Sequence, residues 1–371
     1  MLTNREASTT SQNRIHAIDQ FRGFAILLMI LADYLNNINS IPTWLKHAPE
    51  VGYTIIDLVV PLFIFAIGLT YGMSFRRRFD RFGEWKTYNH FIARNLALIG
   101  LGFLITLGGV LTNNYPPDAK WGLLQALGAA GLITLPFIRI KPKYRWFFGF
   151  LLLAFYQVLL DRYWLSEVIG AVHNGPQGAI SWGAMMIIAT SMGDVYLDLE
   201  KNKRRLPLIS LILLILGGVL QLLVPVSKHR ASASYMLVSL GLCGLIFFIF
   251  HLLDEKYQIR FPLLSDFGKN PLLLYLLHGL VLALFLLPPF PGWYFEAPLW
   301  LVAIQALALV AILGWIAKVF NCRGLESNDM KMPRFGSVIA TSSQGEFWWP
   351  VQLSSDRKFQ ITNGGLETHR W

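Results

Sequence analysis

Residues 234–253 read SYMLVSLGLCGLIFFIFHLL, twenty positions without an Asp, Glu, Lys or Arg. At 1.5 Å rise per residue, about twenty such residues cross the roughly 30 Å hydrocarbon core of a bilayer. Apolar runs of the same kind recur near 20–36, 53–75, 92–111, 122–138, 146–160, 178–195, 206–225, 270–287 and 298–320. Of 371 residues, 54% are hydrophobic and 15% charged, against about 25% charged in soluble domains; mean hydropathy is +0.47. The chain therefore reads as all-α, a polytopic integral membrane bundle of ten transmembrane helices, the first and fifth being the shortest.

Lysine and arginine set the expected orientation. Twenty of the 32 fall in the N-terminal arm and in every second loop (Arg76–Lys86, Arg139–Arg145, Lys201–Arg205 and Lys256–Lys269, with Arg94 beside them). The alternate loops hold five: Lys46, Lys120, Arg162, Lys228 and Arg230. Positive-inside bias then puts both termini in the cytoplasm and His47 near the opposite face. The formal charge of +10 is accounted for by these loops and by anionic lipid headgroups. It does not imply nucleic acid, because no basic stripe is interleaved with aromatics on a folded domain.

The first twenty residues lack an apolar core followed by a small-residue cleavage site, so no removable signal peptide is expected and the first run acts as an anchor. Cys243 and Cys322 are poorly placed for a disulfide or a metal site, and no metal is expected. The expected organisation is a cytoplasmic arm (1–19), a transmembrane domain (20–320) and a polar cytoplasmic tail (321–371) with one aromatic cluster, Phe347-Trp348-Trp349. About forty tail residues are too few for much of a core.

Between the first two runs lies His-Ala-Pro-Glu-Val-Gly-Tyr-Thr-Ile-Ile-Asp, residues 47–57. Ionisable groups at membrane depth usually face a protein interior or a wet cavity and mark a working site. An imidazole at the membrane edge with a carboxylate one step deeper suits buried acid–base chemistry. Pro61, four residues beyond Asp57, removes a helical N–H and is expected to kink the span beside the carboxylate. Arg22 and Asp33 are eleven residues apart, about three turns, and share one helix face; a snorkelling anchor is the plain alternative for Arg22. Gln125 reads as packing glue or as a polar contact near the outer edge. Asn270, Leu274 and His278 repeat every fourth residue on one face, with Asn270 and Pro271 suited to a helix start. His173 reads as a loop residue.

Three blocks resemble the heparan-α-glucosaminide N-acetyltransferase family: Arg14-Ile15-His16-Ala17-Ile18-Asp19-Gln20-Phe21-Arg22-Gly23, Lys46-His47-Ala48-Pro49, and Asp57-Leu58-Val59-Val60-Pro61-Leu62-Phe63-Ile64-Phe65. Leu124-Gln125-Ala126-Leu127-Gly128 and Gly268-Lys269-Asn270-Pro271, with Tyr275 and His278, are similar to its later blocks. The resemblance implies a transmembrane acyltransferase that moves an acetyl group from cytosolic acetyl-CoA to a sugar across the membrane. By position, His47 matches the family's catalytic histidine and Asp57 the acidic residue ten positions on. Arg22 matches an arginine that precedes a histidine by eleven positions in related O-acyltransferases; Asp33 stands at that second position here. The family's Trp-Asn-Gly-Leu-Thr after the histidine is replaced by Glu50-Val51-Gly52-Tyr53-Thr54. The resemblance further implies a bacterial relative in the inner membrane.

The expected function is acetyl transfer to an amino sugar or glycan at the outer face. His47 serves as base or acyl carrier, Asp57 supports it, Arg22 contacts acetyl-CoA, and Asp33, Gln125, Asn270 and His278 support the substrate. The competing expectation is an amino-sugar permease of the same fold. The expected partners are acetyl-CoA, the acceptor and lipid; association of like chains is left open.

Overall fold

The computed structural model describes residues 16–111, 121–198, 205–285, 287–288 and 290–322. The chain divides into two compact units, 1–327 and 328–371, and the described residues all belong to the first. The arm up to residue 15 and the tail from 323 lie outside them.

Apolar periodicity gives helices throughout, and no strand occurs among the described residues. The helices are α1 (His16–Leu35), α2 (Val59–Phe82), α3 (Glu84–Leu111), α4 (Leu123–Thr134), α5 (Pro142–Leu159) and α6 (Leu165–Gly170). They continue with α7 (Gly175–Leu197), α8 (Arg205–Leu220), α9 (Ala233–Glu255), α10 (Pro262–Lys269), α11 (Pro271–Phe285) and α12 (Leu299–Cys322). Six segments are long and apolar enough to cross a membrane: Ile56–Phe82, Glu84–Leu111, Pro142–Gly170, Val172–Leu197, Ala233–Glu255 and Leu299–Asn321. The chain is a multi-pass membrane protein. The fifth run is not short, because a π-turn at Leu160–Trp164 carries α5 into α6 without a break. The short apolar helices are Leu123–Phe137 and Arg205–Leu220.

Burial separates the centre of the bundle from its lipid face. The apolar windows of α2 and α7 are 72% and 78% buried, those of α3 and α12 only 22%. Phe103, Leu104 and Leu107 on α3 and Ile304, Leu307 and Trp315 on α12 are exposed, an apolar surface that water would not tolerate but lipid does. Against this centre α1 packs on α2, α9 and α10. The α1–α10 contact needs glycine: a Cβ on Gly23 would strike the Leu264 carbonyl, and one on Gly268 the Asp19 carbonyl.

Two prolines act differently. Pro271 lacks an N–H and disfavours helical backbone at the residue before it; accordingly Asn270 leaves helical geometry (φ −129°, ψ 59°) and α10 meets α11 at 99°. Pro61, in contrast, produces no mid-span kink beside Asp57. The helix proper starts at Val59 after a 3₁₀ turn at Ile56–Leu58, so Pro61 sits in the first turn, where its missing N–H would be unpaired anyway. The carbonyl of Asp57 instead accepts the Tyr235 hydroxyl at 2.7 Å.

Candidate functional site

The segment between α1 and α2 folds around one carboxylate. Asp57 is 1% exposed, and its Oδ2 accepts from Ala48 N (3.1 Å), Thr54 N (3.1 Å) and Thr54 Oγ1 (3.0 Å). Its Oδ1 lies 2.8 Å from His47 Nδ1. An ionised carboxylate only accepts, so Nδ1 carries the ring proton and the Nε2 lone pair is left for a substrate proton. Hydrogen bonds to charged groups are the stronger kind, so the same carboxylate that orients the ring also pins the loop.

A second loop, between α8 and α9, supplies a cation. Lys228 Nζ lies 3.0 Å from His47 Nδ1, 3.4 Å from Nε2 and 3.7 Å from Asp57 Oδ1. Burial lowers the Lys228 ammonium below the usual lysine range, while Asp57 and Asp33 oppose that shift. This loop is strapped to the first: Gly52 N donates to Val226 O at 2.9 Å, Ser227 Oγ donates to Glu50 O, and Arg230 Nε donates to Glu50 Oε1 at 3.0 Å.

A third element is the turn entering α7. His173 (φ 47°) and Asn174 (φ 67°) are both left-handed, a conformation costing on the order of 1–3 kcal/mol in a non-glycine residue. Asn174 offsets it: its Nδ2 donates to the carbonyls of Lys228 and His229, both at 2.8 Å, and its Oδ1 accepts from Trp182 Nε1 at 3.2 Å. The turn thus holds the Lys228 loop in place and seats His173 within electrostatic reach of Lys228, Asp33 and His47.

The remaining candidates divide by location. Asp33 Oδ2 lies 2.9 Å from His278 Nε2, and His278 Nδ1 lies 2.5 Å from the Tyr275 carbonyl. Both ring nitrogens therefore face oxygens. Gln125 is buried beside Thr106 and lines a cavity with His173 and Tyr275. Arg22 stands apart. It donates to Thr70 Oγ1 at 2.9 Å and lies 4.0 Å from Asp19, eleven residues, or about 16 Å of helix, from Asp33. Asn270 also lies away from His47, in the α10–α11 bend, donating to Asn321 Oδ1 at 3.0 Å. Asn321 in turn donates to Asp266 Oδ1 at 3.0 Å.

Residues 14–172 match the family model for the catalytic region of heparan-alpha-glucosaminide N-acetyltransferase. The resemblance is to an acetyltransferase. The heparan-alpha-glucosaminide N-acetyltransferase of Mus musculus is 30% identical over 147 residues, 37% of this chain and 21% of the mouse protein. That of Homo sapiens is 31% identical over 139 residues, 35% of this chain and 20% of the human protein. The chain thus spans about a fifth of the length of the curated relatives it matches. Arg22, Asp33, His47, Asp57 and Gln125 lie inside the matched stretch; Lys228, Asn270 and His278 lie beyond it.

Sequence reasoning passed over Lys228 and Tyr235 as site residues and read His173 only as a loop residue. The first was legible: Ser227-Lys228-His229-Arg230 puts two cations in one of the cation-poor loops, which hold only five in all. His173 and Tyr235 gave no such signal, since only the folded chain seats the turn of His173 and Asn174 against the Lys228 loop and brings the Tyr235 hydroxyl to the Asp57 carbonyl.

Proposed function

We propose that this chain is a membrane-embedded acetyltransferase of ten spans with both termini in the cytoplasm, carrying an acetyl group from acetyl-CoA to an amino sugar or glycan at the outer face. The observation that carries this reading is the His47–Asp57 pair, 2.8 Å apart, whose carboxylate is saturated by loop donors and fixes the ring tautomer.

His47 Nε2 takes the proton of the attacking amine or hydroxyl as the new bond to the thioester carbonyl forms. Asp57 balances the resulting imidazolium, and the Lys228 ammonium faces the carbonyl oxygen as it gains charge. Collapse of the tetrahedral centre breaks the C–S bond, and the imidazolium proton passes to the departing thiolate. Transfer by way of an acetyl-imidazole is the variant in which Nε2 itself attacks. Charged CoA does not cross hydrocarbon, so its phosphates stay at the cytoplasmic end, where Arg22 offers a guanidinium. Asp33 and His278 form the polar wall through which the acceptor approaches.

The broken α10–α11 segment, bent by 99°, is the one feature that favours a permease instead, since discontinuous helices mark many transporter sites. Proteoliposomes loaded with labelled acetyl-CoA and given external glucosamine separate the two. Acetyl transfer, lost by about 10²–10⁴-fold in His47→Ala, is the expected result. Uptake of intact glucosamine without CoA consumption would replace this reading by the permease.

A further inference from the structure

Beside the three loops, the start of α4 and the outer part of α3 enclose a cavity of about 30 Å³, lined by Thr106, Trp121, Gln125, His173 and Tyr275 among others. It has room for a water or a small polar substituent. Two buried polar atoms on this lining have no hydrogen-bond partner among the described residues: Trp121 Nε1 and Gln125 Oε1. Gln125 is 1% exposed, and its amide orientation is fixed by its neighbour. Thr106 Oγ1 donates to the Gly102 carbonyl at 3.0 Å, so it accepts from Gln125 Nε2 at 3.2 Å. The amide oxygen is thereby left over Gly102 and Gly122, two further lining residues. Leaving such groups unpaired forfeits the hydrogen bonds they made to water, a loss that a bound group would recover.

The pair selects its ligand by chemistry. The indole N–H only donates and the amide oxygen only accepts. A carboxylate or phosphate would satisfy the indole and oppose the amide; an ammonium would do the reverse. A hydroxyl gives and takes one hydrogen bond. The lining also reaches the elements that carry the site. His173 precedes Asn174, whose Nδ2 donates to the carbonyls of Lys228 and His229, and the Tyr275 carbonyl faces His278 Nδ1.

Resting on the acetyltransferase reading, we propose that the Trp121–Gln125 cavity is the acceptor's hydroxyl subsite, gripping one hydroxyl of a polyol such as a sugar while another part of it faces His47. This makes the enzyme select polyhydroxylated acceptors over simple amines.

The test uses the full chain in lipid nanodiscs with indole-¹⁵N tryptophan and glucosamine as probe. The Trp121 Nε1–H resonance is assigned by its loss in Trp121→Phe, which keeps an aromatic ring in place. Glucosamine is expected to shift that resonance saturably, and acetyl-CoA alone is not. Gln125→Leu should weaken glucosamine about 2- to 10-fold, the worth of one neutral hydrogen bond, with acetyl-CoA binding unchanged. Acetyl transfer to glucosamine is followed in parallel. Transfer with an unmoved Trp121 signal means that the cavity holds structural water only, and overturns the subsite while the acetyltransferase reading stands. A saturable shift without transfer upholds the sugar subsite and overturns acetylation of this acceptor. Neither shift nor transfer overturns both.

Discussion

Replacing Asp57 by Asn exchanges one carboxylate oxygen for an amide nitrogen, and the surrounding donors dictate which. Oδ2 receives Ala48 N, Thr54 N and Thr54 Oγ1. An NH₂ group there would confront three donors, at about 1–3 kcal/mol for each left unpaired. The amide oxygen therefore takes that position and the NH₂ turns to His47 Nδ1. Nδ1 must then accept, the ring proton moves to Nε2, and the base has no lone pair for its substrate. The loss is that of a general base, about 10²–10⁴-fold, or roughly 2.7–5.4 kcal/mol at 1.36 kcal/mol per decade. The fold should survive because the loop keeps its bonds to the amide oxygen. Asp57→Ala, in contrast, leaves every one of those donors unpaired and should destabilise the loop as well. The assay is labelled acetyl transfer in proteoliposomes at matched expression, with ¹⁵N chemical shifts of His47 reporting which ring nitrogen is protonated. Wild-type turnover by Asp57→Asn with the proton on Nε2 would refute the tautomer argument.

Lys228, lowered by burial, loses its charge at a pH below the usual lysine value of about 10.4. Activity should therefore fall as pH rises through that lowered value, and Lys228→Arg should carry activity to higher pH; an unchanged alkaline limb in the arginine variant counts against a role for the ammonium. Arg22→Ala should weaken acetyl-CoA about 10- to 100-fold in calorimetry, since a charge-assisted hydrogen bond is worth about 1.5–3 kcal/mol; unaltered affinity would place the phosphates elsewhere. Single cysteines at Asn39 and Gly83, both exposed loop positions, should react with an impermeant reagent from opposite sides of the membrane, and reaction from one side only removes the proposed orientation.

The helical class and most spans were legible because a segment in hydrocarbon must satisfy its backbone internally, which leaves a long apolar run as its mark. The His47–Asp57 pair was legible for a related reason: a carboxylate at membrane depth is expensive enough to stand out. What stayed hidden was set by tertiary contact. Asp33 was read beside Arg22 because both lie on one helix face, yet the fold gives Asp33 to His278 on α11 and Arg22 to Thr70 on α2. Pro61 was read as a kink because the apolar run around it begins at 53, and nothing apolar marks where the helix proper begins. The loop around Asp57 holds the chain in a 3₁₀ turn up to Leu58, which moves the proline into the first helical turn.

The electrostatics of the two loops around Asp57 separate a cation that straps them together from one that the proposed chemistry would use. Arg230 is committed to Glu50, which stands where the matched family's motif has tryptophan, and the pair straps two loops together. Removing that strap should loosen the site without altering its chemistry. Lys228 has no comparable structural duty. Its backbone carbonyl anchors Asn174, a task any residue would perform, while its ammonium is held against a histidine and a buried carboxylate at a cost in desolvation. On the proposed mechanism, a cation kept there is best understood by the negative charge that develops on the thioester carbonyl oxygen beside His47. The matched stretch ends at residue 172, so it holds the proposed base, His47, and its carboxylate, Asp57. The cation that completes them comes from the second half.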